Sequence, residues 1–95
     1  MEAENIIIRP VVTEKSTNYR EKQNVYVFIV SRDANKIQIK KAINDLFNVD
    51  PLSVNTLNIK GKLKRVRYKY GYTSSYKKAY IKLKDGDKIA IFEGA

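Results

Sequence analysis

Apolar positions along this chain fall into two kinds of pattern: short unbroken runs and one helical stripe. The run NVYVFIV at 24–30 is β-branched and aromatic, of strand length, and apolar on both faces. A strand with no polar face is predicted to lie inside a sheet, covered on both sides. Residues 35–47 carry the stripe. Ile39, Ala42, Ile43, Leu46 and Phe47 fall at i, i+3, i+4, i+7 and i+8, so one face of a helix is apolar. Asn35 and Gln38 are spaced as a capping-box pair at its start. Asn48 suits the left-handed position after the last turn, and Pro51 blocks continuation. A shorter helix is expected over 14–22. Thr13 would be its N-cap, with Glu14 in the first turn, where negative charge suits the helix dipole.

Two further strands are predicted, at 54–60 and 76–84. In the second, Ala79, Ile81 and Leu83 alternate with Lys78, Tyr80, Lys82 and Lys84, which gives one inward apolar face and one outward polar face. Asp85, Gly86 and Asp87 signal a turn, and 88–92 reads as a closing strand, so that the last three strands form a meander. The connection at 61–75 has no apolar periodicity. Structureless connections longer than about 12–15 residues are uncommon in compact domains and are usually functional. This one is too charged to join the core, so it is expected to form an extended arm, with a continuing β-ribbon as one form. The predicted class is α+β: an antiparallel β-sheet of about four strands with helices on one face and a long basic hairpin loop. No repeat or linker divides the chain, so 1–95 is taken as a single domain with its extended basic loop at 60–76.

Charge sharpens this picture. The formal net charge is +9, from 19 basic and 10 acidic residues. Between 51 and 84 there is no acid, and the basic residues there are Lys60, Lys62, Lys64, Arg65, Arg67, Lys69, Lys77, Lys78, Lys82 and Lys84. One contiguous segment therefore carries the whole excess. A merely solvated surface would mix the two signs; this concentration points to a polyanion. Tyr68, Tyr70, Tyr72, Tyr76 and Tyr80 lie in the same segment. Cations neutralise phosphates, and flat rings stack on unpaired bases, so the mixture suits RNA. Tyr76 and Tyr80 have an equally good reading as strand residues packing on neighbours. Lys36, Lys40 and Lys41 lie off the helical stripe, where solvated lysines and an RNA face both fit.

Composition removes other chemistry. The chain has no cysteine and no histidine, so disulfides, thiolates and the commonest general base and zinc ligand are excluded. Four scattered glycines form no nucleotide-binding loop. Asp85, Asp87 and Glu93 are read as turn residues beside a strand rather than as a metal site. No catalytic residue, metal or cofactor is expected. No apolar run approaches the ~20 residues that span a bilayer, and the opening MEAENIIIRP fits neither a signal nor a transit peptide. No membrane insertion is expected.

Four segments resemble one known family, the bacterial form of the twenty-third protein of the large ribosomal subunit. They are RPVVTEKS at 9–16, ANKIQIKKAINDLF at 34–47, VNTLNIKGKLKR at 54–65 and KKAYIKLKDGDKIAIFEG at 77–94. Their order and spacing fit the family across nearly the whole chain. The resemblance implies binding to large-subunit ribosomal RNA beside the nascent-chain exit tunnel. It also implies contact with neighbouring large-subunit ribosomal proteins, and docking of trigger factor and the signal recognition particle. The family's trigger factor contact maps onto Glu14. The loop at 60–76 would reach into RNA and toward the tunnel. Where family members carry Arg and Gly around the loop tip, this chain has VRYKYGYTSSY at 66–76, which favours stacking or tunnel lining by polar aromatics. The candidate RNA-binding residues are Lys15, Lys36, Lys40, Asn55, Thr56, Lys60, Gly61, Lys62, Lys64, Arg65, Arg67, Tyr68, Lys69, Tyr70, Lys77 and Lys78. The expected location is cytoplasmic and ribosome-bound, with a chloroplast stroma as the alternative. The competing function is a free-standing regulator that binds single-stranded RNA on the outer sheet face.

Overall fold

The computed structural model describes residues 2–60, 63–66, 69–72 and 75–89. A single helical turn, α1 (Ala3–Ile6), leads into β1 (Ile7–Pro10). Then come α2 (Glu14–Gln23), β2 (Val25–Val30), α3 (Lys36–Phe47) and β3 (Ser53–Ile59). A ribbon of β4 (Leu63–Val66) and β5 (Lys69–Tyr72) precedes β6 (Tyr76–Lys82). The main sheet is antiparallel with strand order β1-β2-β6-β3, and β4 pairs with β5 in a separate antiparallel pair. The class is thus α+β, as the hydrophobic pattern predicted. Among the described residues no helix is long and apolar enough to cross a membrane.

Local chemistry sets the helix ends. Thr13 caps α2: its Oγ1 accepts from the Ser16 N–H at 3.1 Å, and Ser16 Oγ accepts from the Thr13 N–H at 2.7 Å. Asn35 and Gln38 make the predicted reciprocal box on α3, at 2.8 and 3.0 Å. Both helices end on an asparagine in the left-handed region, Asn24 at φ 54° and Asn48 at φ 56°. Asparagine tolerates that region better than other residues with a side chain, because its short amide can bond locally.

β2 is buried at all six positions. Register divides them between two faces. Tyr26, Phe28 and Val30 share a face with Ile81, Ala79 and Lys77 of β6; Val25, Val27 and Ile29 share the other with Lys82, Tyr80 and Lys78. The core gathers on the first face, where Ile39, Ala42 and Ile43 of α3 meet Phe28, Ala79 and Ile81. Phe28 and Phe47 lie 5.8 Å apart between ring centroids. Helix α1 packs against α3. The expected helical cover of one face is therefore supplied by α1 and α3. Helix α2 adds a contact on the other side: it lies along β2, and the Tyr19 ring meets Tyr80 edge-on at 6.0 Å. A strand apolar on both faces needs cover on both, which accounts for this placement.

Of the meander expected for the last three strands, the β3–β6 hairpin forms, but the other edge of β6 is taken by β2 rather than by a closing strand. β6 lies between β2 and β3, and the fourth strand is β1, paired with β2. Lys88 and Ile89 have irregular backbone, with Ile89 fully buried in the core; the remainder of the strand expected over 88–92 lies outside the described residues. β1 left little mark on the sequence because it is four residues long and ends in Pro10, a residue suited to a sheet edge. The expected turn does form, with Gly86 at φ +94° and the Asp87 N–H donating to the Lys84 carbonyl at 3.1 Å.

Candidate RNA interface

The basic arm leaves the body between β3 and β6, neighbours at one side of the sheet. In its β4–β5 ribbon, Lys64 stands opposite Gly71, Arg65 opposite Tyr70 and Val66 opposite Lys69. Antiparallel register thus puts the candidates Lys64, Arg65, Lys69 and Tyr70 on paired strands. Gly61, Lys62, Arg67 and Tyr68 lie outside the described residues.

At the base of the arm the candidates divide between the two faces. Asn55 is exposed on the second face, opposite Tyr80, and Lys78 follows on the same face, opposite Leu57. The Lys78 ammonium lies 6.0 Å from the centroid of the Tyr76 ring, at the outer limit of a cation–π contact. Thr56 and Lys77 belong to the first, core-side face, and both are half-buried. Lys77 is already engaged there: its Nζ donates to the Ala34 carbonyl oxygen at 2.5 Å. Lys60 is exposed where β3 ends.

The other candidates sit on helices. Lys36 and Lys40 are exposed on α3, which covers the first face, so the sheet separates them from Asn55 and Lys78. Lys40 also lies 3.9 Å from the Asp50 carboxylate, an exposed pair of little energetic weight. Lys15 and Glu14 are exposed at the start of α2. The cap of that helix runs through Thr13 and Ser16 and leaves the Glu14 carboxylate out.

The second face also presents residues outside the candidate set. Ser53 and Lys82 pair in register, and Leu57 remains 48% exposed. Their signal was the plain alternation of β3 and β6, which places odd-numbered β3 residues with even-numbered β6 residues on the outer surface.

A family model described as "Ribosomal protein L23" matches residues 5–91. The chain belongs to the ribosomal protein L23 family. Among its curated relatives, "Large ribosomal subunit protein uL23" of Treponema denticola is 56% identical over the full length of both chains. The protein of that name from Roseiflexus castenholzii is 50% identical, again over both full lengths. That of Borreliella burgdorferi is 52% identical over 97% of this chain and all of its own. These relatives are bacterial, and the resemblance carried by four sequence segments extends to the whole chain. An L23-family protein is a component of the ribosome rather than an enzyme.

Proposed function

We propose that this chain is a structural component of the bacterial large ribosomal subunit that binds its RNA through the basic arm and the sheet around the arm's base. The observation that carries this is the acid-free stretch at 51–84, which holds the whole positive excess and folds as β3, the β4–β5 ribbon and β6. Lys60, Lys62, Lys64, Arg65, Arg67 and Lys69 hold phosphates along the arm. Asn55 and Lys78 extend the contact onto the second face, and Gly61 allows close backbone approach. Tyr68 and Tyr70 supply flat surfaces for bases or for the tunnel wall. Lys15, Lys36 and Lys40 meet RNA or neighbouring ribosomal proteins elsewhere on the surface. RNA helices present little base information to side chains, so shape and phosphate charge dominate such binding.

The same reading places the protein at the polypeptide exit, with Glu14 as a docking point for trigger factor and the signal recognition particle. Exposure of Glu14, and its freedom from the helix cap, support that role. The protein works on the ribosome in the bacterial cytoplasm. The test is co-sedimentation of tagged protein with ribosomal subunits from its own cells through a high-salt wash. Stoichiometric retention on the large subunit is expected; recovery in the soluble fraction would overturn the assignment.

A further inference from the structure

The ends of three strands meet at the root of the arm and leave a cleft between them. Arg32 and Asp33 follow β2, Asn58 and Lys60 come from the end of β3, and Ser75 and Tyr76 open β6. Together they line an open concavity of about 560 Å³. Arg32, Asn58 and Lys60 are exposed, and Tyr76 is half-buried. We propose that this cleft holds a single unpaired nucleotide of the bound RNA, with its base against Tyr76 and its phosphate between Arg32 and Lys60.

The chemistry of the lining supports one nucleotide rather than a free anion. Two cations suit a phosphate, and Arg adds a planar fork that can engage two phosphate oxygens. A tyrosine ring offers a stacking surface that accepts any base. Asp33 is the carboxylate in the lining. It repels phosphate from its own corner, and it can accept from the exocyclic amine of cytosine or adenine. A site for a bare ion would gain nothing from the ring and would be weakened by Asp33. A paired RNA helix keeps its bases stacked inside, out of reach of a side-chain platform. The lysine that neighbours Tyr76 in sequence, Lys77, is bound to Ala34 and fixes the turn carrying Arg32 and Asp33 near β6. The cleft is thus assembled before RNA arrives.

This inference rests on the RNA-binding reading above and deepens it. Its test is an NMR titration of the full chain with a cytidine hexanucleotide, a short RNA duplex and inorganic phosphate. The expected result is that the hexanucleotide shifts the amides at 32–33, 58–60 and 75–76, while duplex and phosphate do not. Tyr76→Leu should weaken the hexanucleotide by about tenfold, and Tyr76→Phe should restore most of it. Arg32→Gln should lower the salt slope for the single strand by about 0.7. Equal shifts with phosphate alone, or hexanucleotide binding unaffected by Tyr76→Leu, would overturn the cleft and leave the arm's role intact. Failure of every RNA to bind would remove both proposals.

Discussion

The Lys77 ammonium donates to the Ala34 carbonyl oxygen at 2.5 Å, joining residues 43 apart in sequence. Ala34 is buried at 1% exposure, so its carbonyl has little access to water as a substitute. Lys77 therefore acts within the fold, tying the turn before α3 to the first residues of β6. Lys77→Met keeps the apolar stem and removes the donor. It is expected to cost about 1.5–3 kcal/mol of stability in denaturant unfolding, the range for hydrogen bonds made by charged groups. The salt slope of RNA binding should not change. A slope that falls by about one unit with stability unchanged would return Lys77 to the phosphate-binding set.

A ring contact separates the two functional readings. Tyr80 meets Tyr19 edge-on at 6.0 Å, which gives the ring a packing role between α2 and the sheet. Such pairs are worth about 0.5–1.5 kcal/mol beyond the area they bury. Tyr80→Ala is expected to destabilise the protein by about that much or more, with little change in single-strand affinity once folding is restored at low temperature. A regulator that binds bases on the outer sheet face predicts the reverse, a tenfold or greater loss of affinity. Measuring both quantities on the same variant decides between them.

Asn24 closes α2 and pins the turn beyond β6. Its backbone is left-handed, its N–H donates to the Arg20 carbonyl at 3.1 Å, and its Nδ2 lies 2.9 Å from the Lys84 carbonyl and 3.2 Å from that of Asp87. Asn24→Gly keeps the conformation and loses the side-chain bonds, so it should cost about 1 kcal/mol. Asn24→Ala adds the strain of a left-handed residue with a Cβ and should cost about 2–3 kcal/mol. A thermal unfolding series comparing the two variants isolates the backbone term.

How much of this was legible in the sequence depends on the range of the interaction. Thr13, Asn35, Gln38 and Asn48 announce helix ends because capping is settled within a few residues. β2 was legible because a strand apolar on both faces has few places to go. The arm's ribbon was foreseeable from charge and length. The partners of Lys77, Asn24 and Tyr80 were not, since each lies 43 to 63 residues away and leaves no local pattern. β1 was missed for a related reason: a four-residue edge strand takes its identity from the neighbour it pairs with. Alternation in β3 and β6 showed which residues face outward, and the same alternation turns Lys77 inward, where it bonds Ala34, and leaves Lys78 on the outer face.

The arm makes a quantitative prediction. Each phosphate contact in single-stranded RNA adds about 0.7 to the salt slope, and in a duplex up to about 0.9. Replacing Lys62, Lys64 and Arg65 together by Gln should lower the slope by about 2–3 units and weaken retention on the large subunit in high salt. The fold should persist, because Lys64 and Arg65 belong to the β4–β5 ribbon, a sheet separate from the four-stranded one. An unchanged slope would remove the arm from the RNA interface, whatever the affinity.

Glu14 offers a separation of roles on one surface. It is exposed in the first turn of α2, beside a cap made wholly by Thr13 and Ser16. Glu14→Lys places positive charge at the positive end of the helix and should cost about 0.3–1 kcal/mol, too little to unfold the domain. RNA binding should hold or strengthen slightly, because a cation has replaced an anion. Recruitment of trigger factor to ribosomes carrying the variant should fall, while the variant itself sediments with the large subunit at normal stoichiometry. A docking factor that reads this carboxylate meets repulsion where it expects an acceptor, and that loss concerns the partner's association rather than assembly of the particle. Simultaneous loss of incorporation and recruitment would show that Glu14 supports the fold or the RNA contact and is no docking residue.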